Sequence, residues 1–462
     1  MNIQTVNPAT EEILNNYLCL DFATIDKKIA AGHEAYLNWK NSKFDVRRSL
    51  MLNLAQILKD KKSELAHLMA LEMGKPVTAG KAEIEKCAWV CEHYAENAEQ
   101  YLMPRTVQTE MKTAKVCYRP LGMVFAIMPW NFPFWQVFRF SAPTIMAGNG
   151  AILKHAPISS GTGNKIQELF EHAGFPPSLF QHLIVNNDGA AHIIENQFIT
   201  AVTLTGSERA GQSVAATAGK NLKKSVLELG GSDPYLILDD ADLDLAAHCI
   251  VTSRLNNSGQ VCIAAKRVIT VQSIEKELIS KIKGLTTKYK MGDPLDPNIN
   301  LGPMARNDLR ENLHLQVQKS IKQGAKLLLG GIIPQSKGYF YPPTLLTNVK
   351  PGMTAFDEEL FGPVIVIISA KDESEAISLA NMGQYGLGAA VFTQDLNKGE
   401  QIATYEIEAG TCFVNAFVAS DPRLPFGGIK RSGYGRELSR EGILEFVNTK
   451  TIAISDSRYG TR

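Results

Sequence analysis

The stretch that decides the fold is Gly150-Ala151-Ile152-Leu153-Lys154, an apolar run that begins with glycine and ends with lysine. Such a short run is typical of a buried β-strand. The residues after it predict a helix over 161–173, a strand over 183–185, a helix over 192–196 and a strand over 201–204. Because strands that alternate with helices form βαβ units, the sequence predicts an α/β protein with a parallel sheet covered on both faces.

Length and charge limit the classes of partner. The chain has 462 residues, enough for two or three domains at roughly 100–200 residues each. Its 48 Lys and Arg residues balance its 47 Asp and Glu residues, so no net field attracts nucleic acid or an anionic membrane. No stretch has the roughly 20 apolar residues of a membrane span, and the N-terminus lacks a signal-peptide pattern. Seven scattered cysteines fit a reducing compartment, so we predict a cytoplasmic protein.

One cysteine stands in a setting that suits a nucleophile. The segment Asn257-Ser258-Gly259-Gln260-Val261-Cys262 is a polar, glycine-containing loop that runs into the apolar residues 263–265. A thiol at such a boundary lies near oriented backbone N–H groups, which favour a thiolate and an adjacent oxyanion. The competing interpretation is that Cys262 is a small buried apolar residue, as most free cysteines are.

An acid and a glycine turn are further candidates. Glu228 lies in an apolar frame before paired glycines, where a raised pKa would suit general-base chemistry. The alternative is an exposed polar position on an alternating strand. Gly206 and Ser207 follow the predicted strand at 201–204 and precede a helix, so their amides suit a pyrophosphate. No Gly-x-Gly-x-x-Gly occurs there, and an ordinary turn is the alternative.

A metal site is disfavoured. Cys87 and Cys91 share a face of a predicted helix, but His93 points elsewhere, and no second pair of ligands at zinc-site spacing follows. We therefore predict helix packing and no metal.

Five motifs taken together resemble the NAD(P)-dependent aldehyde dehydrogenase superfamily, from about residue 6 to residue 454. They occur in one order: Pro129-Trp130-Asn131-Phe132-Pro133, Thr205-Gly206-Ser207, Leu227-Glu228-Leu229-Gly230-Gly231, Gly259-Gln260-Val261-Cys262 and Glu359-Leu360-Phe361-Gly362-Pro363. The resemblance implies that Cys262 attacks an aldehyde and that Asn131 and the Cys262 N–H hold the oxyanion. It also implies that Glu228 activates water for hydrolysis of the thioester.

The resemblance assigns a set of residues to an NADP or NAD cofactor: Pro129, Trp130, Lys154, Gly206, Ser207, Glu359 and Phe361. Lys154 is expected at the adenosine ribose, Gly206 and Ser207 at the pyrophosphate, and Glu359 at the nicotinamide ribose. Relatives that prefer NAD carry Glu three residues after the lysine, where this chain has Pro157. Without that carboxylate a 2′-phosphate meets less repulsion, so both cofactors are expected.

The resemblance also implies a substrate and an architecture. Family members that act on ω-carboxylated aldehydes have an arginine in the region of Arg139, and Ser420 lies in a segment that resembles their substrate-entrance loop. The resemblance to bacterial succinate-semialdehyde dehydrogenases therefore implies that the pair binds the distal carboxylate of the substrate. A structural salt bridge is the alternative for Arg139. Other functions left open are oxidation of glutarate semialdehyde or an aliphatic aldehyde, formation of a CoA thioester, and nucleotide binding without turnover.

The implied architecture is a Rossmann-type cofactor domain, a catalytic domain and a small β flap. The cofactor domain is expected over 1–104 and 122–229 and the catalytic domain over 230–430. The flap and C-terminal segment are expected over 105–121 and 431–462. Open strand edges on the flap predict a homodimer or homotetramer.

Overall fold

The structure, a computed structural model, describes residues 2–455. Its strands fall into two large sheets and three small ones. They are β1 Asn2–Val6, β2 Ile13–Leu18, β3 Arg105–Val107, β4 Thr113–Pro120, β5 Met123–Met128, β6 Gly150–His155, β7 Phe180–His182, β8 Ile199–Thr205, β9 Lys224–Glu228, β10 Asp233–Ile237, β11 Ala265–Val271, β12 Lys326–Leu329, β13 Thr344–Thr347, β14 Val364–Ala370, β15 Tyr385–Gly386, β16 Gly388–Phe392, β17 Thr411–Val414, β18 Ile429–Lys430, β19 Gly433–Tyr434 and β20 Val447–Ile454.

The helices cover the large sheets and make up most of residues 22–101. They are α1 Phe22–Trp39, α2 Phe44–Asp60, α3 Lys62–Met73, α4 Val77–Tyr101, α5 Trp135–Met146, α6 Ser160–His172, α7 Asn187–Glu195, α8 Glu208–Lys220, α9 Leu243–Leu255, α10 Glu275–Thr286, α11 Asn307–Lys322, α12 Thr354–Asp357, α13 Glu373–Asn381, α14 Leu396–Gln401 and α15 Ser439–Leu444. Among residues 2–455, no helix is long and apolar enough to cross a membrane.

The first large sheet has the order β19-β9-β8-β5-β6-β7, and only β19 runs antiparallel to its neighbour. Every residue of β6 is buried, as expected where helices cover both faces. Along β5 the side chains alternate between two cores. Met123 and Phe125 pack with α1 and α7, whereas Val124 and Ala126 pack with α4 and α5. The predicted α/β class is confirmed.

The second large sheet has the order β12-β13-β14-β11-β10-β16-β17, with β12 the antiparallel edge. In the second sheet Glu359 precedes β14 and so lies at the amino end of that strand, whereas in the first sheet Glu228 lies at the carboxyl end of β9. Ligands bind at the carboxyl ends of strands in parallel sheets.

A small antiparallel sheet joins β20, β4 and β3. β20 pairs with β4 along its full length, from Val447 opposite Pro120 to Ile454 opposite Thr113. The sequence segments predicted to form a flap therefore do pair. β19 lies in the segment assigned to the flap but pairs with β9 instead. The domain boundaries stay a prediction.

One strand lies elsewhere than predicted. The sequence indicates a strand at 183–185, whereas β7 covers Phe180–His182. The reason is register: Ala151 lies opposite Phe180 and Leu153 opposite His182, so pairing with β6 ends there. Residue 183 makes one more bond, from its N–H to the Leu153 carbonyl, before the chain leaves the sheet.

Candidate active site

The loop that carries Cys262 is held in an unusual backbone conformation. After α9 a tight turn takes Asn257, Ser258 and Gly259 through φ values of 50°, 54° and 73°. At Gly259 a Cβ would lie 2.2 Å from the Gly362 carbonyl carbon, so only glycine fits. The Asn257 side-chain amide donates to the Asn131 carbonyl at 2.7 Å, which fixes one candidate segment against the other.

Cys262 is half-buried and lines a cavity of about 380 Å³. The apolar part of the wall includes Phe132, Trp135 and Phe426. Burial raises the pKa of the Cys262 thiol to about 11, although the positive charges of Lys266 and Arg139 oppose that shift. The structure thus places the thiol in a pocket and not in a sealed core, which contradicts the interpretation of Cys262 as a buried packing residue.

Asn131 lies beside this loop. Its side-chain Nδ2 donates to the Gln260 carbonyl at 3.0 Å, and its backbone carbonyl also accepts from the buried Lys75 ammonium at 2.9 Å. Because Gln260 O can only accept, this bond sets the orientation of the amide. The amide nitrogen has a second hydrogen, which this bond does not use.

Glu228 ends β9 and is 2% exposed. Its burial, reinforced by the nearby Glu437 carboxylate, raises the pKa of Glu228 well above its ordinary value. Neither carboxylate oxygen has a hydrogen-bond partner within the described chain. The alternative of an exposed strand position is wrong. The carboxyl group has the raised pKa that the sequence indicated, and Gly231, three residues on, lies against the Cys262 carbonyl.

Lys266 joins the nucleophile loop to Glu359. Its buried ammonium donates to the carbonyls of Val261 and Cys262 at 2.8 and 2.5 Å and pairs with Glu359 at 3.0 Å. Glu359 also accepts from the Gly231 N–H at 3.2 Å. Sequence reasoning missed Lys266, because a lysine on an apolar strand carries no signal until the loops around it are placed.

Two aromatic candidates lie next to this group. Trp130 and Phe361 meet edge to face with ring centroids 5.9 Å apart, and the Lys266 ammonium lies 5.8 Å from the Phe361 ring. Pro129 directly follows β5 and so sets the direction in which Trp130 leaves the sheet. The structure therefore brings Trp130, Phe361 and Glu359 into one neighbourhood.

The remaining cofactor candidates lie at the ends of β6 and β8. Lys154 is buried near the carboxyl end of β6, without a hydrogen-bond or ion-pair partner in residues 2–455, and burial lowers its pKa. Ser207 caps α8, accepting from the Ala210 N–H at 3.3 Å. The Gly206 N–H donates to the Glu228 carbonyl, so contacts with a pyrophosphate would fall to the first amides of α8.

Arg139 and Ser420 both line the cavity with Cys262, but each has its own partner. Arg139 on α5 forms a buried ion pair with Glu437 and stacks over Phe426, 4.6 Å from the ring centroid. The Ser420 hydroxyl accepts from the Lys86 ammonium at 2.8 Å. Arg139 therefore forms a salt bridge and also lines the cavity. Glu437 carried no sequence signal because its partner is distant in the chain.

The cysteines of α4 lie in the helix packing. Cys87 and Cys91 are fully buried, and the His93 ring lies 3.2 Å from the Tyr101 hydroxyl. Among residues 2–455 no group of three His, Cys, Asp or Glu side chains is arranged to hold a metal ion.

Comparison with known sequences gives one family. A model of the aldehyde dehydrogenase family matches residues 1–452. The chain is similar to succinate semialdehyde dehydrogenase [NAD(P)+] Sad of Escherichia coli, with 45% identity over 97% of this chain and 97% of that protein. It is also similar to a probable succinate-semialdehyde dehydrogenase [NADP(+)] of Synechocystis, with 44% identity over 98% of this chain and 100% of that protein.

Two solved structures are similar to this chain over almost its whole length. Succinic semialdehyde dehydrogenase from Streptococcus pyogenes in complex with NADP+ superposes with a TM-score of 0.96 at 35% identity, over 98% of this chain and 100% of that one. PnpE in complex with nicotinamide adenine dinucleotide superposes with a TM-score of 0.95 at 27% identity, over 99% of this chain and 95% of that one.

Proposed function

Because the chain belongs to the aldehyde dehydrogenase family, we propose that it oxidises succinate semialdehyde to succinate with NADP+ or NAD+. The observation that carries the proposal is the cavity in which Cys262 lies with two cationic side chains and a serine hydroxyl. The thiol suits attack on an aldehyde, and the polar groups suit a carboxylate at the other end of a short substrate.

The chain's own residues would perform the first half-reaction. The Cys262 thiol loses its proton to solvent, and the thiolate Sγ adds to the aldehyde carbon. The second N–H of the Asn131 amide and the Cys262 backbone N–H stabilise the resulting oxyanion. When bound, the nicotinamide cofactor supplies the hydride acceptor, and loss of hydride from the former aldehyde carbon leaves a thioester on Cys262.

Glu228 would catalyse the second half-reaction, hydrolysis of the thioester, as a general base. The carboxylate takes a proton from water, the water oxygen attacks the thioester carbon, and the bond to Cys262 Sγ breaks. Because burial raises its pKa, Glu228 is a stronger base once ionised than an exposed carboxylate. Release of the free acid follows, which distinguishes this reaction from the formation of a CoA thioester.

The donor set at the strand ends fits a dinucleotide. Lys154 is a buried cation without an ion-pair partner among residues 2–455 and is suited to ribose hydroxyls or a 2′-phosphate, and the start of α8 offers amides to a pyrophosphate. Gly230 allows Glu359 to approach, since a Cβ there would lie 2.5 Å from Glu359 Oε2. Together with Pro129, Trp130, Gly206, Ser207 and Phe361, these are the residues we assign to the cofactor.

The decisive experiment follows NADH and NADPH absorbance with purified protein and separate aldehydes. We expect succinate semialdehyde to give the highest kcat/KM, ahead of glutarate semialdehyde and butyraldehyde. Activity on butyraldehyde alone would exclude the carboxylate-binding role of Arg139 and Ser420 while leaving aldehyde oxidation intact. No activity with any aldehyde would favour nucleotide binding without turnover, and a CoA-dependent thioester product would favour an acylating enzyme.

Asn131→Ala tests the oxyanion assignment. We expect kcat to fall by about 10²–10³-fold, because one preorganised donor to the oxyanion is lost. Steady-state kinetics with succinate semialdehyde measures the change. Asn300→Ala, at an exposed loop position, is the matched control and should keep the wild-type rate. A loss confined to KM would instead place Asn131 in ground-state binding.

Pro157→Glu tests cofactor choice. Pro157 begins a short 3₁₀ turn after β6, three residues beyond Lys154. A carboxylate there can accept from a ribose hydroxyl and repels a 2′-phosphate, so the ratio of kcat/KM for NAD+ to that for NADP+ should rise by about tenfold or more. Pro157→Gln, which adds similar bulk without charge, should shift the ratio less. An equal shift in both variants would contradict the electrostatic account.

We also propose a homo-oligomer of two or four copies in the cytoplasm. The β20-β4-β3 sheet leaves the outer edges of β20 and β3 without a strand neighbour in the described chain, and such edges require cover. The division into cofactor, catalytic and flap segments predicted above is part of this proposal. Light scattering of the purified protein tests the number of copies, and cell fractionation tests the cytoplasmic location.

A further inference from the structure

One of the two cations in the substrate cavity, half-buried Lys86, is not among the residues identified from the sequence. Lys86, on α4, is one of the residues that line the cavity of Cys262. Its ammonium donates to Ser420 Oγ at 2.8 Å and lies 4.4 Å from the ring centroid of Trp135. Both contacts direct the charge toward the cavity wall. Neither contact neutralises it.

Three buried cations nearby each have a carboxylate partner. Lys75 pairs with Glu83, Arg139 pairs with Glu437, and Lys266 pairs with Glu359. Within residues 2–455, Lys86 forms no ion pair. A charge taken out of water is unfavourable unless an anion compensates it, so this position favours a negatively charged ligand.

The acids nearest to Lys86 already have other partners. Asp421, next to Ser420, accepts from Arg423 at 2.9 and 2.6 Å. Glu83, one turn before Lys86 on α4, accepts from the Phe134 and Trp135 N–H groups at 2.9 Å as well as pairing with Lys75. Both acids are engaged in these bonds and neither forms an ion pair with Lys86, so an anionic ligand in the cavity would give the ammonium its ion-pair partner.

We propose that Lys86, with Ser420, is the specificity-determining residue that binds the distal carboxylate of the aldehyde substrate. Arg139, which shares its charge with Glu437, would assist Lys86 and Ser420 in this role. This inference rests on the proposed oxidation of a carboxylated aldehyde. It assigns the recognition of the carboxylate to a residue that the motifs do not include.

Charge variants of Lys86 test the inference on the full-length enzyme. Lys86→Met keeps the apolar stem against Trp135 and removes the ammonium. We expect KM for succinate semialdehyde to rise about 10–100-fold, the loss of one charge-assisted hydrogen bond, with kcat little changed. For butyraldehyde, which lacks the carboxylate, kcat/KM should stay within about threefold. Lys86→Arg should keep most of the preference.

Lys81→Met is the matched control, because Lys81 is exposed on the same helix. It should behave as wild type with both aldehydes. An equal loss for both aldehydes in Lys86→Met would mean that Lys86 only supports the cavity wall, which overturns the inference. Unchanged preference in that variant also overturns it. A wild-type enzyme that does not prefer succinate semialdehyde to butyraldehyde would instead refute the proposed function.

A pH series separates binding by charge from support of the wall. Burial, reinforced by the positive charge of Arg139, lowers the pKa of Lys86 to about 8, while Cys87, Asp421 and Glu83 oppose that shift. The ammonium is therefore present below pH 8 and is lost above it. The inhibition constant of succinate should rise above pH 8 in wild type and stay flat in Lys86→Arg, whose guanidinium keeps its proton. Parallel profiles would contradict the inference.

Discussion

Cys262→Ala is expected to abolish aldehyde oxidation, with kcat falling by at least about 10⁴-fold. Without Sγ no covalent intermediate forms, and the remaining groups only bind and polarise the aldehyde. Absorbance of NADH or NADPH measures the loss. The fold should remain intact, because Cys262 is half-buried at a cavity and alanine leaves the wall continuous.

Cys117→Ala is the matched control, since Cys117 is also half-buried but lies on β4, in the small sheet. It should retain wild-type kcat and the same thermal unfolding midpoint. Residual activity of Cys262→Ala above a few per cent would show that another group attacks the aldehyde. A lowered unfolding midpoint would show that the loss was partly structural.

Glu228→Gln is expected to separate the two half-reactions. The amide keeps the shape of the side chain but cannot take a proton from water, so the thioester should accumulate. Steady-state kcat should fall by about 10²–10⁴-fold, while the first turnover still releases one equivalent of reduced cofactor. Rapid-mixing absorbance should show this burst, and mass spectrometry should show the acyl group on Cys262.

The rate of thioester hydrolysis should depend on pH in a defined direction. Since the pKa of Glu228 is raised, the basic carboxylate form becomes more abundant as pH rises through that pKa. Hydrolysis of the thioester should therefore accelerate with pH in wild type and respond less in Glu228→Gln. Glu445→Gln changes a nearby carboxylate that is paired with Lys224, and its kcat should stay within about fivefold of the wild-type value. Absence of a burst in Glu228→Gln would place Glu228 before thioester formation.

Much of the fold could be predicted from local pattern. β6 and β8 are apolar runs bounded by turns, and both were expected within two residues of their observed bounds. β7 was misplaced, because its short apolar neighbourhood fits several registers and only pairing with β6 selects one. The candidate residues Cys262, Glu228 and Asn131 came from motifs whose residue types carry the chemistry.

The sequence by itself determined which chemical groups this protein has and the order in which they occur. The tertiary structure alone decided which charges remain available. Arg139 looked like the free cation of the substrate site, yet the fold brings Glu437 to it from almost three hundred residues away. Lys86 carried no signal, yet the same fold leaves its ammonium at the cavity without a carboxylate partner in the described part of the chain. Ion pairs between distant segments depend on packing in three dimensions, and no local pattern encodes them.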